Sequence, residues 1–503
     1  MTPEEPPVAA REANIADSDP GGYPKIAWVV IIGFIIFSIY AQRQADPVTD
    51  TSAQEAVQSR TLEIQGKYLV AASRVPGIQA SDLYLNLEPL DTGPLSTRLR
   101  LVVLAGELIG PDEALKRLDA VEASLDDREQ LADPQSRTIS LLREIYTQYS
   151  NQEWGPSSVG ENDAAFLQKE LGWFGALALT PNRQVSRPVD AAERDTAADA
   201  APVAPTDARK KLLSEAWSTF LTVIFSLLML LGLGGAGCIG AVAFAYLTFS
   251  GQLRSAMQAV PQRSAVYAET FAIWMLTFTA ISLAAAFLVR RLEHSQLLVS
   301  SVGSMLSLVG VAWPLLRGVS WRQTCEDLGL LTERKALREI LWGVVCYVSN
   351  LPVILLGLLI MLVLLALYNA FWSGTGMEQA QPPAHPIINW VREANWLSRL
   401  HICLLACVIA PIVEETVFRG VLYRHLRNCT AKWRTGVSVF SSTLVNSLIF
   451  AVIHPQGLLA APALMGVAVG LSLVREWRGS LVAPITMHAA NNGILMLLLF
   501  SLL

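Results

Sequence analysis

Apolar residues in this chain gather into long unbroken runs instead of alternating with polar ones. Residues 26–41 (IAWVVIIGFIIFSIYA) form the first run, and others lie at about 219–249, 266–289, 296–315, 339–370, 396–418, 437–453, 458–474 and 480–502. A helix needs roughly 20 predominantly apolar residues to cross a bilayer, so each run is a candidate span. The pattern predicts about nine transmembrane helices. The run at 219–249 is long and holds GLGGAG, which points to a kink or a tilt.

The stretches between runs differ in kind. Residues 1–25 are rich in Pro, Ala, Glu and Asp and read as a disordered start. Residues 42–182 are polar with helical periodicity, as in LRLVVLAGELIG and ALKRLDAVEASL, broken by Pro, Gly and Asp turns. They predict a small soluble all-α domain. Residues 183–211 lack apolar periodicity and read as a linker. Residues 212–394 then supply the first helices of a membrane bundle, and 395–503 its last. The first run, 26–41, follows an acidic start, and Ile39 and Ala41 fit a cleavage site poorly, so it reads as an uncleaved anchor.

Composition agrees with this fold class, an all-α polytopic membrane bundle with a soluble N-terminal domain. Of 503 residues, 52% are hydrophobic and 16% charged, which excludes an ordinary soluble protein of this length. The net charge of -5, without a basic arm, excludes nucleic acid as a partner. The six cysteines fall in or beside apolar runs, and residues 42–211 have none, so neither a disulfide framework nor a Cys-rich zinc site is expected. Arginines 254, 263, 317–338, 419–434, 475 and 478 fall on one side of a nine-span arrangement, with 290, 291, 392 and 399 on the other. By the excess of basic residues the former side is cytoplasmic. This puts the N-terminus in the cytoplasm and residues 42–211 outside it, in what reads as a bacterial cytoplasmic membrane.

Ionisable groups inside spans cost at least roughly 2.5 kcal/mol and call for a reason. In LLACVIAPIVEETVFRGVLYRHLR, Glu415 and Arg419 are four apart and share a helix face, so they pair and read as structural. Glu414 points about 100° away, with no partner in its own helix. A partly desolvated carboxylate so placed is a candidate general base on water. LVNSLIFAVIHPQG puts His454 at a helix end, one turn after Phe450 and just before Pro455. In LVAPITMHAANNGILMLLLF, His488 and Asn492 share a face, which suits either catalysis or interhelical hydrogen bonding. The histidines at 294, 385, 401 and 425 are given no role. Helical rise from the cytoplasmic arginines puts Glu414 about 20 Å from Arg427 and His454 about 30 Å from Arg434. Because residues 431–438 are polar, a start near Phe440 for the helix bearing His454 is the preferred way to reconcile the two.

The three segments together resemble the CAAX prenyl protease and bacteriocin-processing family of intramembrane proteases, the CPBP or Abi family. Its pattern of EExxxR, FxxxH and HxxxN appears as Glu414-Glu415-x-x-x-Arg419, Phe450-x-x-x-His454 and His488-x-x-x-Asn492. The resemblance is strong over about 395–503. It implies an endopeptidase in which Glu414 activates water with His454, while His488 and Asn492 bind the oxyanion. Arg419 then holds the motif helix through Glu415. The family is often labelled a metalloprotease; if a divalent metal such as zinc binds, the ligands are Glu414, His454 and His488. HExxH is absent, so they come from separate helices. The implied partners are the bilayer and membrane-protein or peptide substrates, with residues 42–182 a candidate recruiting element. Two other readings stay open: a non-catalytic scaffold or immunity protein of the same fold, and a proton-coupled transporter. No inverted repeat supports the latter.

Overall fold

Without water to satisfy them, backbone amides in lipid must bond within their own segment, so apolar runs of spanning length close into helices. The structure, a computed structural model, describes residues 22–44, 51–85, 93–125, 133–151, 159–180, 182, 206–292, 296–331, 334–372, 390–391 and 394–502. Among the described residues the regular elements are helical throughout, and nine of the helices are long and apolar enough to cross a membrane. The chain is a polytopic helical membrane protein. Residues 1–21 of the expected disordered start, 183–205 of the expected linker, His294, His385 and Arg392 lie outside the described residues.

The chain divides into two compact units, one comprising Gln54–Leu230 and the other the residues up to Ala53 together with Leu231–Ser501. The first unit contains α2 (Thr51–Ala72, from Gln54 on), α3 (Ala80–Leu85), α4 (Leu95–Leu108), α5 (Pro111–Ala123), α6 (Asp133–Ser150), α7 (Glu161–Leu171), α8 (Trp173–Ala178) and the first half of α9 (Asp207–Phe249). Residues 101–108 of α4 are buried on every side, which makes α4 its central helix. Val102, Leu118, Leu142, Phe174 and Ala216 bring α4, α5, α6, α8 and α9 into one core. α9 begins at Asp207, inside the stretch expected to be linker, because Arg209 is buried and donates to Glu107 at 2.6 Å. It then continues as a single helix through the glycine-rich segment.

The second unit holds α1 (Pro24–Gln44), the rest of α9, α10 (Ser264–Leu292), α11 (Gln296–Leu316), the short α12 (Trp321–Leu328), α13 (Ala336–Trp372), α14 (Trp396–Cys429), α15 (Thr435–Ile453), α16 (Ala461–Arg478) and α17 (Val482–Leu502). Small residues let its backbones approach closely, as expected where lipid offers no hydrophobic drive for helix association. A Cβ added at Gly357 of α13 would run into the Pro462 carbonyl of α16, and one at Gly470 into Asn350. Asn350 in turn donates to the Gly466 carbonyl at 3.0 Å.

Buried charge is concentrated in paired networks. Asp327 of α12 accepts from Arg263 at 2.7 Å, from Tyr267 at 2.8 Å and from Arg424. Glu476 of α16 takes two N–H groups of Arg427, each at 2.9 Å. Arg475 donates to the backbone carbonyls of Asp327 at 3.0 Å and Arg419 at 3.3 Å, binding α12 and α14 to α16. Every one of these charged side chains thereby finds a partner on a neighbouring helix.

These pairs correct one expectation. α15 starts at Thr435, not near Phe440. The depth estimate took Arg427 and Arg434 as surface markers, but Arg427 is buried against Glu476 and Ser438, and Ser438 meets Thr430 at 2.6 Å. The polar stretch after α14 is therefore helical from Thr435 on; residues 432–437 stay exposed and only Ser438 is buried, against Arg427 and Thr430.

Candidate active site

The side chains singled out in sequence are carried by three helices. Glu414, Glu415 and Arg419 lie on α14, His454 is the residue that ends α15, and His488 and Asn492 lie on α17. α14 is not regular. Its residues Leu405–Ile409 and Thr416–Leu422 form wider π-turns on either side of the Ala410–Glu415 segment. Such turns occur mostly as local bulges and frequently at functional sites, because they offset side chains and free backbone groups.

Glu414 Oε2 lies 3.6 Å from His454 Nε2 and 3.8 Å from His488 Nε2. Its side chain keeps 27% exposure, against 18% for His454, 6% for His488 and none for Glu415 or Arg419. The gradient separates the roles: Glu414 and His454 are reachable, whereas the Glu415–Arg419 pair is sealed beneath them. The expectation that Glu414 lacks a partner holds for its own helix only, since two imidazoles from other helices face it.

The far nitrogen of each imidazole is fixed. His454 Nδ1 is 2.5 Å from the Phe450 carbonyl oxygen, which can only accept, so Nδ1 carries the hydrogen and Nε2 offers a lone pair. His488 Nδ1 donates to Glu415 Oε1 at 2.7 Å, the same oxygen that takes Arg419 NH1 at 3.0 Å. Glu415 therefore orients His488 besides neutralising Arg419, a second duty that i, i+4 spacing could not show. Arg419 also donates to the Ala468 carbonyl at 3.3 Å, and its guanidinium lies 4.6 Å from the Phe450 ring centre. Phe450 packs between the site's parts, 4.1 Å from the His454 ring and 5.0 Å from Phe418.

Asn492 makes an interhelical hydrogen bond, one of the two uses that its spacing from His488 allowed. Its Nδ2 donates to the Ala406 carbonyl, at 2.8 Å, inside the first π-turn, and its Oδ1 accepts from Asn491 at 3.2 Å. One amide hydrogen is thus committed to the backbone of α14, leaving one for any other partner. The disregarded histidines also gain places. His425 accepts from Trp28 at 3.0 Å and bonds the Ser264 carbonyl at 2.7 Å, joining α1, α14 and α10, and His401 meets Ser301 at 3.1 Å.

Two imidazole Nε2 atoms and a carboxylate oxygen are donors of the kind that zinc takes, each histidine having its other nitrogen tied as metal-bound histidines do. Among the described residues, however, no group of three or more His, Cys, Asp or Glu side chains is spaced to hold an ion.

The motif-bearing helices lie within a segment with known relatives. Residues 396–494 match the type II CAAX prenyl endopeptidase Rce1-like family. Glu414, Glu415, Arg419, His454, His488 and Asn492 all fall inside that match. The membrane-embedded CAAX protease MroQ of Staphylococcus aureus (strain USA300) is 37% identical over 86 residues, which is 17% of this chain and 34% of that protein. The chain thus spans about a third of the length of this curated relative. No solved structure matches it.

Proposed function

We propose that this protein is an intramembrane endopeptidase that hydrolyses peptide bonds with a water activated by Glu414. The observation that carries the reading is the approach of Glu414 Oε2, a buried oxygen without a hydrogen-bond partner, to the Nε2 atoms of His454 and His488, at 3.6 and 3.8 Å. Such separations are too long for a direct hydrogen bond and suit a bridging water. A water at this point donates one hydrogen to Glu414 and one to His454 Nε2, which accepts because its Nδ1–H is held by Phe450.

Charge balance assigns His488. Glu414 and Glu415 are opposed by Arg419 alone, and a buried site left with one net charge is costly. A His488 imidazolium, with Nδ1–H on Glu415 and a second hydrogen on Nε2, restores neutrality. Glu414 takes the proton of the water as its oxygen adds to the scissile carbonyl carbon. The carbonyl π pair moves onto oxygen, and this oxyanion is met by His488 Nε2–H and the uncommitted amide hydrogen of Asn492. When the C–N bond breaks, the nitrogen leaves with the proton that Glu414 had taken. No step draws on a metal ion.

Substrates are membrane proteins or peptides that reach the site from the bilayer, with residues 42–182 as an element for recruiting them. The lysine and arginine distribution supports an extracytoplasmic side for those residues, and the proposed membrane is a bacterial cytoplasmic one. The test is cleavage of membrane peptides by the purified protein in detergent, with Glu414→Gln, His454→Ala and His488→Ala compared with wild type. Loss of turnover in all three folded variants supports the reading. A wild-type preparation that cleaves none of a broad set of membrane peptides favours a scaffold of the same fold instead.

A further inference from the structure

We propose that Gln42, on the N-terminal helix α1 and far outside the family-matched segment, is a positioning residue for His454. The last four carbonyls of any helix lack intrahelical partners and, away from water, must find donors elsewhere. α15 ends at Ile453, and the next nitrogen but one belongs to Pro455, which has no hydrogen to give. Two side chains meet part of the need. His454 Nδ1–H caps the Phe450 carbonyl, and Gln42 Nε2 donates to the carbonyls of Val452 at 3.2 Å and of His454 itself at 2.8 Å.

His454 is bracketed by these contacts. Its ring is tied back to the preceding turn, and its own carbonyl is tied to α1. Without Gln42, the only backbone bond to that carbonyl is the long one from Gly457, at 3.5 Å. The His454 peptide is then free to turn, and with it the imidazole whose Nε2 faces Glu414. Gln42 is well anchored for the task. α1 is fixed at its start by Tyr23 N–H donating to Glu269 at 2.6 Å and by Trp28 donating to His425 at 3.0 Å, and further along by Ile31, Phe34 and Ile35 packing in the bundle core, so it behaves as a member of the bundle and not as a passive anchor.

The inference rests on the protease reading for its effect on rate, but its effect on the ring is separable. Gln42→Met keeps the length and removes both donors, whereas Gln42→Lys replaces them with a longer donor. The full-length protein with 15N-labelled histidine reports the Nδ1–H tautomer of His454, assigned by its loss in His454→Asn. Gln42→Met is expected to disturb that signal and to lower kcat tenfold or more with KM little changed, since displacements of ~1 Å in catalytic groups cost about 100-fold. Gln42→Lys is expected to restore both. An unperturbed His454 signal in Gln42→Met overturns the proposal whatever the turnover, and so does a perturbed signal with unchanged kcat. A perturbed signal in a protein whose wild type cleaves nothing upholds the positioning of the ring and defeats the protease reading alone.

Discussion

His488 Nδ1 and Glu415 Oε1 meet at 2.7 Å across 73 positions of sequence, and the same carboxylate oxygen receives Arg419 at 3.0 Å. One fully buried carboxylate oxygen therefore serves two donors, the Arg419 guanidinium and the His488 ring. The helix carrying Glu414 and the helix carrying His488 are locked to each other through it. Four consequences can be measured.

Glu414→Gln keeps the shape of the side chain and removes its capacity to take a proton. Turnover is expected to fall by about 100- to 10,000-fold, the range of a general base. The thermal midpoint should stay close to wild type, because the amide keeps the shape of the carboxylate and Oε2 makes no hydrogen bond to lose. A rate within a few-fold of wild type would remove Glu414 from the mechanism.

Breaking the Glu415–Arg419 pair should be severe. Arg419→Ala or Glu415→Ala strands a buried charge, and each is expected to cost about 3–5 kcal/mol of stability in a denaturation experiment. Replacing both together, as Glu415→Leu with Arg419→Met, removes the stranded charge and should recover most of the stability. Activity should not return with it, since His488 has lost its Nδ1 partner. Recovery of full turnover in the double variant would show that Glu415 does not orient His488.

Asn492→Leu leaves the Ala406 carbonyl without its donor inside the π-turn. A loss of about 1–3 kcal/mol follows from an unsatisfied buried acceptor. Oxyanion binding through the other amide hydrogen adds a fall in kcat that stability does not explain. If thermal unfolding shifts but kcat per folded molecule stays constant, Asn492 is a structural cap and not a catalytic group.

Metal analysis of the purified protein is expected to find less than one equivalent of bound transition metal, and treatment with a chelator should leave peptide cleavage unchanged. Stoichiometric zinc, with activity lost on chelation and regained on zinc addition, would replace the water-activation scheme by one in which Glu414, His454 and His488 are ligands.

The sequence showed the nine spans because hydropathy is summed locally: a run such as 339–370 is apolar whatever surrounds it, and it forms α13. It also disclosed Glu415 with Arg419 and His488 with Asn492, since four residues of helix return to the same face. The family resemblance placed these in one site before any coordinates. Locally read features failed where a partner was remote. Residues 207–211 looked like linker until Arg209 met Glu107, and Arg427 looked like a surface marker until Glu476 was found beside it.

What the sequence by itself determined is the membrane class, the helical elements and the residue types of the site, all of which follow from composition and helical period. Only the tertiary structure decided which atoms meet: Glu414 between two imidazoles, Glu415 beneath His488, Asn492 on the Ala406 carbonyl and Gln42 at the end of α15. The reason is that each of these contacts joins different segments of chain. Their geometry is set by close packing of glycine-bearing helices and by the need to satisfy every polar group shut away from water.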